Sequence, residues 1–138
     1  RQGLATGDDD SFLRTWPEVP SARTNWNAQK FPDQASPWFP FIKGGSFRRW
    51  YGNNEHVIKF DQASFTALSQ QGNCLPSRSY YLKESVVWSD IAGSAFAARF
   101  NPHGKVFATG ALSAFPSKTP IHSLLGYFNS TIHKEVMY

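Results

Sequence analysis

Two apolar runs, Trp38-Phe39-Pro40-Phe41-Ile42 and Val57-Ile58-Lys59-Phe60, flank a stretch that cannot form a regular element. From Lys43 to Asn54 the chain packs three cations, three glycines and two amides around Trp50 and Tyr51 in twelve positions. Glycine weakens helices and strands and suits loops, where it can take positive φ. The flanking runs have strand length and are rich in aromatic and β-branched residues. A loop held between two strands satisfies both halves of the pattern, and loops presented by a rigid scaffold are where binding residues concentrate.

The loop has the chemistry of a nucleic-acid contact. Lys43, Arg48 and Arg49 can neutralise phosphate, and an arginine fork can also read guanine. Trp50 and Tyr51 can stack on a base or pack on a sugar. Asn53 and Asn54 each pair a donor with an acceptor, as an adenine edge requires. Gly44 and Gly45 allow the backbone to approach a partner closely. A second reading is open at this point: an ordinary solvated hairpin with Trp50 and Tyr51 turned into the core.

Length and composition bound the rest. The 138 residues suffice for one domain, 1–138, with its own core. Hydrophobic residues make up 41% and charged residues 17%, which excludes a disordered chain. A net charge of +4 permits a nucleic-acid partner without requiring one. Cys74 is the single cysteine, so an intrachain disulfide and a thiolate zinc cluster are excluded. No apolar run approaches a membrane span, and Arg1 to Asp10 lacks the apolar segment of a signal peptide. The expectation is a cytoplasmic chain with no membrane partner, cut from a longer polypeptide because no Met begins it.

In chain order, Gly3 to Asp10 reads as a turn-rich, solvated opening, whose three aspartates lack the ligand spacing of a calcium loop. Ser11 to Trp16 reads as a first strand, ended by Pro17 and Pro20. Residues 21–37 are a long polar connection with a short helical turn, pinned by Trp26 and Phe31. Strands over Trp38 to Ile42 and His56 to Phe60 enclose the loop, which can hold a helical turn near Phe47 to Tyr51. Asp61 caps a short helix over 61–69 with Phe65 and Leu68 on one face. Val86 to Ser89 and Ala95 to Phe100 read as strands. Asn101 to Gly104 is a turn after which Lys105 to Thr109 pairs back as a hairpin. Gly110 to Pro116 is a small-residue loop. Pro120 opens a helix with Ile121, Leu124, Leu125, Phe128 and Ile132 at helical spacing, continued by Val136 and Met137. The sum is an α+β fold: a mixed, mainly antiparallel sheet with a C-terminal helix packed on it.

Catalytic signatures are missing. The four histidines lack zinc-binding spacing, and there is no nucleophile elbow, P-loop or dinucleotide fingerprint. Glu84 and Asp90 offer only the carboxylate pair that any chain of this size contains. A binding domain is the reading that remains, with no catalytic residue, metal or cofactor of its own.

Four stretches, in order, carry a resemblance. Gly3-Leu4-Ala5-Thr6-Gly7-Asp8-Asp9-Asp10-Ser11-Phe12-Leu13-Arg14-Thr15-Trp16 resembles the G-L-x-T-G-D-N-D-x-F-L-R-x-W segment of adenine-specific DNA methyltransferases of BREX-type phage defence and their restriction–modification relatives. Residues 38–55, with Lys43-Gly44-Gly45-Ser46-Phe47-Arg48-Arg49-Trp50-Tyr51-Gly52-Asn53-Asn54-Glu55, are similar to their W-x-P-Y-N-K-G-G-x-F-R-K-W-Y-G-N-N-E segment. Residues 80–91, beginning Tyr80-Tyr81-Leu82-Lys83-Glu84, resemble Y-Y-F-K-E-G-I-T-W-S-x-I, and Leu124-Leu125-Gly126-Tyr127-Phe128-Asn129-Ser130 resembles L-L-G-F-L-N-S. Asp9 stands where Asn is usual, and Phe41 and Ile42 stand where Tyr and Asn are common.

The resemblance implies a target-recognition segment that follows the methyltransferase domain of a parent enzyme. That domain would hold S-adenosylmethionine and an N-P-P-Y type motif. Here Asn101-Pro102-His103-Gly104 is the one Asn-Pro and reads as a turn. The implied partners are double-stranded DNA, the methyltransferase domain of the same chain and other defence-system proteins. Thr6, Asp8 and Lys83 join Lys43, Gly44, Gly45, Arg48, Arg49, Trp50, Tyr51, Asn53 and Asn54 as expected DNA contacts. A protein-interaction module with the aromatic loop as its hot spot is the alternative. A carbohydrate platform fits the flanking cations less well.

Overall fold

A computed structural model describes residues 1–89 and 96–137. The first sheet is built on the two apolar runs. β2 (Trp38–Ile42) and β3 (His56–Lys59) pair antiparallel, Phe39 opposite Ile58 and Phe41 opposite His56. β1 (Leu13–Thr15) lies along the other side of β3, and β6 (Val106–Phe107) runs parallel to β2, giving the order β1-β3-β2-β6. A second, antiparallel sheet has the order β5-β4-β7, with β4 (Ser85–Ser89), β5 (Ala98–Asn101) and β7 (Ala111–Ala114). The class is α+β and pairing is mainly antiparallel, as expected, but the strands divide between two sheets.

Alternation along β4 decides the layering. Successive side chains of a strand point to opposite faces. Val87 therefore joins the main core with Phe39, Phe41, Ile58, Phe60 and Phe107, while Val86 turns to the other face and meets Ala98 and Leu125. Leu125 belongs to α3 (Ile121–Phe128), so the C-terminal helix packs on the second sheet and that sheet packs on the first. Trp88 sits against Phe128 at 5.5 Å, edge to face, which places it with the helix rather than in solvent. α2 (Gln62–Gln70) begins where expected, with the Asp61 carboxylate accepting from Ser64 N at 2.8 Å. Among the described residues no helix is long and apolar enough to cross a membrane.

Several sequence expectations are corrected. Ser11 to Trp16 is not one strand. The Asp8 carboxylate accepts from the Ser11 amide and, at 2.6 Å, from its hydroxyl, and so caps a short helix, α1 (Asp9–Phe12), before β1. Lys105 to Thr109 does not pair back on β5. Gly104 N donates to Leu82 O at 2.9 Å and Leu82 N to Lys105 O at 3.0 Å, and this clasp directs the chain into the first sheet. Gly110 to Pro116 contains β7, whose Ala111 and Ser113 are fully buried.

The C-terminal helix is likewise two helices, α3 and α4 (Thr131–Met137). The break comes at Asn129, whose buried side-chain amide brackets Ala98, accepting from its N–H and donating to its C=O, both at 2.9 Å. The polar connection 21–37 has its short turn at Ser21–Arg23. Phe31 pins it among Phe60, Phe65 and Tyr81, whereas Trp26 is half exposed and meets only Trp16 among the aromatic rings described. Asp90, Ile91 and the start of the strand expected at Ala95 lie outside the described residues, as do the side chains of Val136 and Met137.

Candidate nucleic-acid interface

The loop between β2 and β3 is fastened at three points. At its start, Gly45 N donates to Ser89 Oγ and the Ser89 hydroxyl donates back to Gly45 O, both at 3.1 Å. At its middle, Trp50 N donates to Ala98 O at 3.2 Å and Phe100 N to Trp50 O at 2.7 Å. At its end, Trp16 N donates to Glu55 O at 3.0 Å. The middle clamp uses the free edge of β5, which would otherwise present unpaired backbone groups to solvent. The loop thus serves as one extra rung of the second sheet and holds no helical turn near Phe47 to Tyr51.

Because the backbone is turned to β5, the rings point away. Trp50 is 54% and Tyr51 56% exposed, with Phe47 beside them at 55%. The solvated hairpin with both rings in the core is thereby excluded. Trp50 achieves this with φ of +74°, a conformation that costs a bulky residue on the order of 1–3 kcal/mol. Arg48 is exposed, and neither Arg48 nor Arg49 takes part in an ion pair among the described residues. The Arg49 guanidinium lies 5.4 Å from the Phe47 ring centroid, and its Nε is buried without an acceptor among the described residues. Asn53 Nδ2 donates to Ser46 O at 3.0 Å and braces the loop from within.

Gly44 has an internal task. A methyl group there would stand 2.5 Å from the Gly110 carbonyl oxygen, so the missing side chain lets the loop lie against the β6–β7 connection.

Lys43 and the opening motif meet in a cleft of about 590 Å³ lined by Thr6, Asp8, Asp9, Lys43, Thr109 and Gly110, among others. Lys43 Nζ is 3.1 Å from Asp9 Oδ2. Thr6 is buried; its hydroxyl donates to Asp9 and accepts from Asp8 N at 3.1 Å. The Thr6 hydroxyl, joined by Lys43, holds the Asp9 carboxyl below the usual carboxylate range, against an opposing effect of burial. Thr6 and Asp8 therefore shape the first turn, and Lys43 is half-buried and paired with the more exposed Asp9. Lys83 is exposed and stacks over the Tyr80 ring at 5.3 Å, with no contact to the loop among the described residues.

A second cleft, about 350 Å³, opens on the other side of the loop. Trp16, Trp26 and Tyr51 wall it, with Asn54, His56 and Lys105 among its polar residues. Lys105 Nζ donates to Asn54 Oδ1 at 2.8 Å and lies 5.4 Å from the Tyr51 ring centroid. Burial lowers the pKa of Lys105. Burial, and then the charge of Lys43, lowers that of His56. Sequence reasoning missed Lys105 and Ser89, since both read as ordinary strand residues and only the tertiary fold brings them to the loop.

Asn101, of the single Asn-Pro, is buried with its amide nitrogen 3.2 Å from Ser85 Oγ, so it faces the interior rather than a substrate. Among the described residues, no group of three or more His, Cys, Asp or Glu side chains could hold a metal ion.

No family model matches the chain. Two curated proteins do. It is 30% identical over 139 residues to the adenine-specific methyltransferase PglX of Lacticaseibacillus casei (strain Zhang), and 32% identical over 133 residues to the adenine-specific methyltransferase BrxX of Escherichia coli O9:H4 (strain HS). Each match covers 94% of this chain but only 12% and 11% of the respective relative. Over nearly its whole length, then, the chain corresponds to one segment of the adenine-specific methyltransferases, as its ordered motifs led us to expect.

Proposed function

We propose that this chain is the DNA-contacting, target-recognition part of an adenine-N6 DNA methyltransferase of phage defence or restriction–modification. The observation that carries the reading is the loop itself: Arg48 free of ion pairs among the described residues and Phe47, Trp50 and Tyr51 outward, on a backbone clamped to Ala98 and Phe100. Adenine in a duplex is stacked, and its amino group is reached by extruding the base. A recognition part holds the flanking duplex meanwhile. Arg48 and Arg49 supply phosphate or guanine contacts, Lys43 a further charge, and Asn54 an amide at a base edge. The rest of the parent enzyme, in the cytoplasm, binds the methyl donor S-adenosylmethionine and performs the transfer.

The test is the Arg48→Ala, Arg49→Ala double variant in the full-length enzyme, assayed for methylation with methyl donor in excess. The expected result is weaker DNA binding and a slope of log affinity against log salt reduced by about 2, one for each lost phosphate contact. Unchanged affinity and rate would remove the loop from the mechanism. The three outward rings also favour a second reading, a hot spot for another defence-system protein. Salt-insensitive binding to a protein, with none to DNA, would select it.

A further inference from the structure

The second cleft is walled by Trp16, Trp26 and Tyr51. We propose that it receives a single unpaired base of a DNA strand; this rests on the DNA-contacting role proposed above and adds a base-binding pocket to it. A paired base offers only its edges to a protein, because its faces are covered by its neighbours in the stack. A wall of rings recognises faces. The three walls are half exposed, 51% for Trp16, 50% for Trp26 and 56% for Tyr51, so their faces are not consumed by the core. The volume of about 350 Å³ falls in the range of small-ligand sites, roughly 300–1,000 Å³.

The walls are held in place before any ligand arrives. Trp26 Nε1 donates to Ser21 Oγ at 3.1 Å, and the Trp16 and Trp26 rings meet edge to face with centroids 6.4 Å apart. Trp16 is tied by its backbone to Glu55, at the foot of the loop. The polar groups suit a base on a charged strand. A lysine ammonium can only donate, so the Asn54 oxygen must face Lys105 and its NH2 group is turned the other way, free to donate to a ring nitrogen or carbonyl. Lys105 puts a positive charge at the cleft, where the phosphate of an extruded nucleotide would lie. Tyr51 belongs to both the cleft and the outward face of the loop, so a strand crossing Arg48 and Arg49 is led to it.

The experiment uses the full-length enzyme and two DNA probes, a perfect duplex and the same duplex with a single bulged 2-aminopurine. The bulged probe should bind more tightly, by about 5- to 150-fold, the equivalent of stacking one base on aromatic side chains, and its fluorescence should be quenched on binding. Trp16→Ala and, separately, Trp26→Ala should abolish the preference and the quenching while leaving affinity for the perfect duplex within about twofold. Thermal melting of both variants checks that they fold. Equal affinity for the two probes, or a preference that survives both variants, would overturn the pocket and leave the recognition role standing. No binding to either probe would overturn both.

Discussion

Trp50 and Arg99 are partners in a parallel β-bridge with their usual burial exchanged: the tryptophan is 54% exposed and the arginine 1%. The bridge explains both. Its hydrogen bonds fix the Trp50 backbone to the β5 edge at Ala98 and Phe100, which throws the indole outward. Arg99, beside Val87 on the strand pair β4–β5, points into the space between the sheets, where its Nε and Nη2 find no acceptor among the described residues. Burial lowers its pKa.

Among the described residues Arg99 has no counter-ion, a buried charge so placed opposes folding, and apolar replacements of buried ionic groups are commonly neutral or stabilising by about 1–4 kcal/mol. Arg99→Met keeps an unbranched apolar stem and removes the charge. Its urea midpoint should equal or exceed that of the unaltered protein. A loss of more than about 1 kcal/mol would show that the guanidinium has found a partner in solution.

The positive φ of Trp50 predicts an inverted ranking of small residues. Glycine adopts this conformation freely and alanine does not. Trp50→Gly should therefore be more stable than Trp50→Ala by about 1 kcal/mol, the reverse of the order expected in a strand. Both variants lose the indole, so both should weaken DNA binding equally. Chemical denaturation and a binding titration separate the two effects.

Gly44→Ala places a methyl group against backbone, 2.5 Å from the Gly110 oxygen, where no flexible side chain can yield. The cost should be about 1–3 kcal/mol. Hydrogen exchange at Gly45, whose N–H is held by Ser89, should accelerate with it.

His56 makes stability depend on pH with a definite sign. Burial, reinforced by Lys43 and opposed by Glu55, Asp9 and Glu18, lowers its folded-state pKa from the ordinary value of 6.5. Between the lowered value and about 6.5 the unfolded chain binds more protons, so stability rises with pH through that window and is lost as pH falls through it. The drop in urea midpoint between about pH 7.5 and 5 should be smaller in His56→Gln than in the unaltered protein. An equal drop would mean that other groups carry the whole dependence.

Asp61, Trp38 to Ile42 and His56 to Lys59 were legible in the sequence because each announces itself locally: a capping carboxylate before a helical spacing, and apolar runs of strand length around a glycine-rich loop. The same is true of the ordered motifs that carried the resemblance, and the two methyltransferases match the chain over 94% of its length. The candidate DNA-contacting residues were nameable for their chemistry, but Thr6 and Asp8 serve the first turn, and no pattern in the chain could show that.

By itself, then, the sequence determined the apolar segments and the loop between two of them. The tertiary structure alone decided that β6 leaves β5 to lie parallel to β2, that residues Ala111–Ala114 form a strand, and that Asn129 ends α3 by bonding Ala98. It also decided that Trp50 faces solvent while Arg99 does not. The reason is that hydrophobic alternation says which face of a segment is buried but not which edge it will find. Strands of two to four residues acquire their identity from a distant partner's free N–H and C=O groups, and those groups exist only once the rest of the chain has folded around them.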